Sequence, residues 1–179
     1  MRRPRFLLAS FPAFAVSWAL LFIQPAEAAQ LPGGVGELLE TYGDWTVGCR
    51  AQNAAVGCVV SQVQSDPKSR RPRLSVEFAT APGGRIEGAL LLPFGLALAN
   101  GVAISRDDAG NPQSFPFSTC LPGGCLVPVR FDATMTEALK SGTLLHVTAI
   151  VLSTGEAVAM RVSLKGLPEA LRRASELAP

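Results

Sequence analysis

The sequence predicts an all-β fold: a single-domain antiparallel β-sandwich or partly closed barrel with a short C-terminal helix. Three observations carry this. Short runs of alternating apolar and polar residues recur from Asp44 onward, separated by turn residues at near-regular spacing. Apart from a short helical turn at Glu37–Thr41, two stretches, near residues 134–140 and 169–177, carry a helical pattern. Four cysteines fall into two short-range pairs that bracket chain reversals.

The elements follow in order. Residues 29–41 carry Pro32, Gly33, Gly34 and Gly36 and read as a flexible lead-in that ends in a short helical turn at Glu37–Thr41. Trp45, Val47 and Cys49 alternate with Thr46, Gly48 and Arg50, the period of a strand. Val59–Gln64 and Leu74–Ala79 repeat that alternation. Ile86–Leu92 and Leu96–Leu98 are denser in apolar residues, consistent with burial on both faces. Val102 and Ile104 form a short run, ended by the turn residues of Asp107–Pro112. Phe115 and Phe117 alternate with Ser114, Pro116 and Ser118, and Val127, Val129 and Phe131 continue the pattern after Cys125. Thr134 followed three residues later by Glu137 reads as a capping box opening a helix to Lys140, with Gly142 at its exit. Leu144–Leu152 and Ala157–Leu164 read as a hairpin. Pro168 suits the first turn of a last helix, with Leu167, Leu171 and Ala174 on one side.

Residues 1–28 have the three parts of a cleaved secretory signal peptide. Arg2, Arg3 and Arg5 are followed by the uncharged apolar stretch Phe6–Ile23 and then by Ala26-Glu27-Ala28, which places cleavage before Ala29. The 179-residue chain holds 16 Lys+Arg and 14 Asp+Glu. Cleavage removes three arginines and Glu27, so the mature chain is electrically balanced. It has no global attraction for nucleic acid. The apolar run Ala89–Ala99 is too short and too interrupted to cross a bilayer, so no transmembrane segment is expected after cleavage.

Four cysteines allow three pairings. Cys49 and Cys58 fall on consecutive predicted strands, and Cys120 and Cys125 bracket Leu-Pro-Gly-Gly, so local pairing into two disulfides is expected. The spacing fits zinc knuckles poorly, an exported chain meets an oxidising compartment, and no C-x-x-C redox motif occurs.

No catalytic residue, metal ligand or cofactor site is assigned. His146 is the single histidine and sits opposite the apolar face of Leu145, Val147, Ala149 and Val151, as an ordinary strand residue. Asp107-Asp108 with Gly110 and Asn111 lacks the alternating oxygen ligands of a calcium loop and reads as a turn. Trp45 and Tyr42 read as core or core-edge residues. The dense basic cluster Lys68, Arg70, Arg71 and Arg73 lies between two strands. It reads as a solvated hairpin tip, with a local anion site for lipopolysaccharide phosphates or an acidic host glycan as the functional alternative. No aromatic residue interleaves it, so base stacking is not supported.

Several segments, taken in order, resemble the invasion-associated locus B family. Tyr42-Gly43-Asp44-Trp45-Thr46-Val47-Gly48-Cys49 is similar to its opening motif, with Cys58-Val59-Val60-Ser61-Gln62 following. Leu92-Pro93-Phe94-Gly95-Leu96 and Gly101-Val102-Ala103-Ile104 come next. Phe117-Ser118-Thr119-Cys120 to Cys125 resembles its second cysteine pair, and Ser163-Leu164-Lys165-Gly166-Leu167 its closing segment, with Leu167 where Phe is usual. The resemblance covers about residues 42–175 of a β domain spanning 42–179. It implies an exported, β-rich envelope protein with local disulfides, located in the periplasm or at the cell surface. The expected role is non-enzymatic binding or host interaction, toward an envelope or host-surface protein or a polyanionic glycan. Structural maintenance of the envelope and an uncharacterised hydrolase are the alternatives.

Overall fold

The computed structural model describes residues 30–52, 55–66, 68, 72–107 and 112–178. The proposed signal peptide lies outside them, as do Arg70 and Arg71 of the basic cluster.

Among the described residues, eleven strands form two antiparallel sheets. The larger contains β1 (Glu37–Tyr42), β2 (Trp45–Gln52), β3 (Ala55–Ser65), β4 (Pro72–Ala81) and β5 (Arg85–Leu92), in sequence order. The chain then crosses to the smaller sheet for β6 (Val102–Arg106) and β7 (Gln113–Phe115). It returns as β8 (Thr119–Leu121) and β9 (Gly124–Phe131), with β9 beside β5 and β8 at the edge. Helix α1 (Ala133–Ser141) leads to β10 (Leu144–Ile150) and β11 (Ala157–Ser163), which complete the smaller sheet in the order β11-β10-β6-β7. Helix α2 (Leu167–Leu177) packs back across β1 to β4. Both sheets keep open edges, so the architecture is a sandwich rather than a barrel.

One core joins the layers. It takes Trp45, Val47, Val60, Val76 and Phe78 from the larger sheet, Ile104, Leu145 and Val147 from the smaller, and Leu139 and Leu171 from the helices. Trp45 stacks on Phe78, whose ring meets Phe131 edge-on, and Phe115 of β7 meets Phe131 from the other sheet. The Phe115–Phe131 contact joins the two sheets beyond simple area burial, and the other two stiffen the inner face of the larger sheet.

Four local expectations are corrected. Residues 37–42 are not a lead-in ending in a helical turn. They form edge strand β1, paired from Glu37↔Arg50 to Tyr42↔Trp45. Helix α1 starts from Asp132, whose Oδ1 accepts from the Met135 amide at 2.7 Å, so Thr134 is not the capping residue. Asp132 lies three residues before Met135, the spacing at which a side-chain oxygen reaches a free amide of the first turn. Leu98 opens a short 3-10 turn and is exposed, while Leu96 makes an isolated bridge to Val151. In β5 the buried residues are Ile86, Leu90 and Leu92 on one face, and the other face is exposed or half-buried.

Candidate functional site

The two family-like end segments meet in space. The Trp45 indole Nε1 donates to the Ser163 carbonyl at 2.9 Å, and the Asp44 amide donates to the Lys165 carbonyl at 3.0 Å. Gly166 holds φ +89°, and a Cβ there would lie 2.0 Å from the Tyr42 carbonyl oxygen. Only glycine fits that backbone approach. Gln62 is buried, and its Nε2 donates to the same Ser163 carbonyl at 3.0 Å. These motifs therefore fix where α2 begins.

Next, α2 is clamped to β1. The Arg173 guanidinium donates to both Glu40 oxygens, at 2.8 and 2.9 Å, and the Tyr42 hydroxyl donates to Glu40 Oε2 at 2.7 Å. Hydrogen bonding from Arg173, then from Tyr42, lowers the Glu40 pKa to about 2. The same contacts raise the Tyr42 and Arg173 pKa values.

The exit of α1 is held by Asp107, which adopts φ +45°. Its Oδ1 accepts from the Thr143 hydroxyl at 2.5 Å and from the Thr143 and Leu144 amides at 3.0 and 2.9 Å. Led by the Thr143 hydroxyl, with the Leu144 amide second, these bonds lower its pKa to about 2. Asp107 opens the predicted Asp107–Pro112 turn, of which positions 108–111 lie outside the described residues, and it anchors the connection from α1 to β10.

With both helices fixed, a cleft opens between them and the β4–β5 hairpin, with a volume of about 750 Å³. Pro168, Leu171, Arg172, Ser175 and Ala178 line it from α2, at the spacing of one helix face. Thr136 and Lys140 line it from α1, one turn apart. The hairpin contributes Thr80 to Pro82 and Gly84 to Ile86. Among the described residues its walls hold three cations, Arg85, Lys140 and Arg172, and no carboxylate. Lys140 pairs with Glu137 at 2.7 Å and Arg172 with Glu176 at 2.5 Å, both on their own helices. The Thr136 hydroxyl is buried without a hydrogen-bond partner.

The sequence-derived candidates lie elsewhere. Cys49–Cys58 and Cys120–Cys125 are disulfides joining directly opposed residues of β2/β3 and β8/β9, with Cα atoms 4.1 and 3.9 Å apart. Lys68 is exposed on the β3–β4 connection, and Arg73, exposed near the start of β4, lies 3.8 Å from Asp66. His146 is half-buried on β10. Among the described residues, no three His, Cys, Asp or Glu side chains are placed to hold a metal, and no helix is long and apolar enough to cross a membrane. Sequence reasoning missed the cleft. Its three cations are separated by 55 and 32 positions, and the one local trace is the spacing of Pro168, Leu171, Arg172 and Ser175.

Fold and site define a disulfide-bonded antiparallel β-sandwich with a cation-rimmed cleft beside its helices. The sequence matches the invasion associated locus B (IalB) protein family over residues 45–175, and the chain belongs to that family. An invasion protein B homolog of Brucella abortus (strain 2308) is 46% identical over 163 residues, covering 91% of this chain and 94% of the relative. Invasion protein B of Bartonella bacilliformis is 31% identical over 174 residues, covering 96% and 92%. The crystal structure of invasion associated protein b from Bartonella henselae superimposes with a TM-score of 0.73 at 27% identity, covering 78% of this chain and 96% of that one.

Proposed function

We propose that this chain is an exported, non-catalytic binding protein of the bacterial cell envelope, acting as an accessory factor in contact with the envelope or a host surface. The observation that carries this is the pair of disulfides closing single hairpins, since such bonds persist in oxidising compartments. The leader pattern of residues 1–28 supports the same compartment. The names of the relatives, invasion protein B, support a role at the host interface. The cleft favours binding over hydrolysis, because the described residues of its walls include no paired carboxylates of the glycosidase kind. A polyanionic glycan is the proposed partner of the Lys68–Arg73 tip.

Fractionation with intact-mass analysis tests the reading, together with mature protein as bait for envelope extract and host membranes. The expected result is a periplasmic or surface product beginning at Ala29 that captures an identified partner, competed away by free mature chain. Full-length mass in a membrane fraction overturns it.

A further inference from the structure

We propose that the cleft between α1, α2 and the β4–β5 hairpin binds an anionic amphiphile, an acyl chain headed by a carboxylate or phosphate. This deepens the binding role proposed above by naming a ligand class.

The cleft has the two halves such a ligand needs. Its apolar surface comes from exposed Pro82 and half-buried Ala81 and Pro168, which line the cleft together with the core residues Ile86 and Leu171. An acyl chain laid there leaves water for an apolar wall. Arg85, Lys140 and Arg172 supply positive charge from three different elements. Arg85 forms no ion pair among the described residues. The pairs made by Lys140 and Arg172 are surface contacts within one helix, which cost little to exchange for a ligand anion.

Thr136 gives an independent observation. It is 2% exposed, lines the cleft, and its hydroxyl has no partner. Buried hydroxyls are rarely left unsatisfied in a finished core. The hydroxyl lies just behind the cleft surface, and rotation of the Thr136 side chain toward a ligand oxygen would give it the partner it lacks. A purely apolar occupant leaves both the hydroxyl and the three cations unused. An inorganic anion leaves the apolar surface unused.

The test is calorimetric titration of the disulfide-intact mature chain with monomeric decanoate, decanol and inorganic phosphate, and cosedimentation with phosphatidylglycerol vesicles. Decanoate is expected to bind at least about tenfold more tightly than decanol or phosphate. The Arg85→Ser/Lys140→Ser/Arg172→Ser variant should lose that preference. A control of equal charge loss outside the cleft, Arg130→Ser/Arg161→Ser/Lys165→Ser, should keep it. Thr136→Val, which preserves shape, should weaken decanoate and leave decanol unchanged. Decanoate binding with vesicle cosedimentation supports the proposal with a membrane lipid as source. Decanoate binding without it supports a free acyl anion. Absence of decanoate binding, equal binding by decanol, or an unchanged decanoate preference in the triple variant overturns it. If the triple variant does not fold, equal decanoate binding by Thr136→Val and the native chain overturns it instead. These outcomes do not depend on export or on capture of a partner, so the two readings fail separately.

Discussion

Trp45 and Ser163 lie 118 positions apart and are joined by a 2.9 Å hydrogen bond from the indole Nε1 to the carbonyl oxygen. Gln62 donates to the same oxygen, so the carbonyl keeps one donor when the other is removed. Trp45→Phe is therefore expected to cost about 1–2 kcal/mol, and Gln62→Leu a similar amount. The double variant should cost more than their sum, because it strands a carbonyl beside the core. Gly166→Ala should exceed either single change, at about 3 kcal/mol or more, because Cβ collides with the Tyr42 carbonyl at a positive φ. Urea unfolding of the native chain and these four variants checks the ranking, and additivity in the double variant removes the shared-acceptor account.

The start of α1 gives a second expectation. Asp132→Ala should cost about 1 kcal/mol, because it removes the acceptor for the Met135 amide. Thr134→Ala should be near neutral. Comparable losses from the two would return the capping role to Thr134.

Acid sensitivity follows from Glu40 and Asp107. Both carboxyls have folded pKa values lowered to about 2, from ordinary values of 4.5 and 3.8. The folded state therefore favours their ionised forms. Their stabilisation is complete above about pH 5 and is lost as pH falls toward 2. The melting temperature should drop through that window. Glu40→Gln and Asp107→Asn should each start lower at neutral pH and show a shallower acid limb. Parallel limbs for native and variant proteins would contradict the assignment.

Each disulfide closes a small ring within a hairpin, for which loop-closure entropy gives roughly 2–3 kcal/mol. Cys49→Ser/Cys58→Ser and Cys120→Ser/Cys125→Ser should each lower stability by about that amount. Non-reducing peptide mapping should recover the two local links, and a fragment joining one pair to the other would refute the hairpin pairing.

For the proposed glycan contact, replacing Lys68, Arg70, Arg71 and Arg73 with serine should abolish retention on immobilised heparin without lowering thermal stability. Native retention should fall steeply with salt, since the screening length drops from about 10 Å at 0.1 M to about 3 Å at 1 M. Equal retention of both proteins would leave the cluster as a solvated hairpin tip.

The sequence by itself determined what short-range physics controls. Alternation at period two marked β2, β3, β4 and the β10–β11 hairpin, because one face of each strand must meet a core. The apolar spacing of Leu167, Leu171 and Ala174 marked α2, and all three are buried. The disulfides were legible because each pair sits a few residues apart on facing strands, where the hairpin sets the register. Only the tertiary structure decided the rest. β1 is a strand because β2 offers it a free edge, and its own glycine-rich approach disguised this. Gln62 lies inside because a carbonyl 101 positions away accepts from it. The cleft exists because Glu40 fixes α2, Asp107 fixes the exit of α1, and a turn brings Arg85 between them. Contacts between residues so distant leave no periodic trace, since only the folded chain places their side chains side by side.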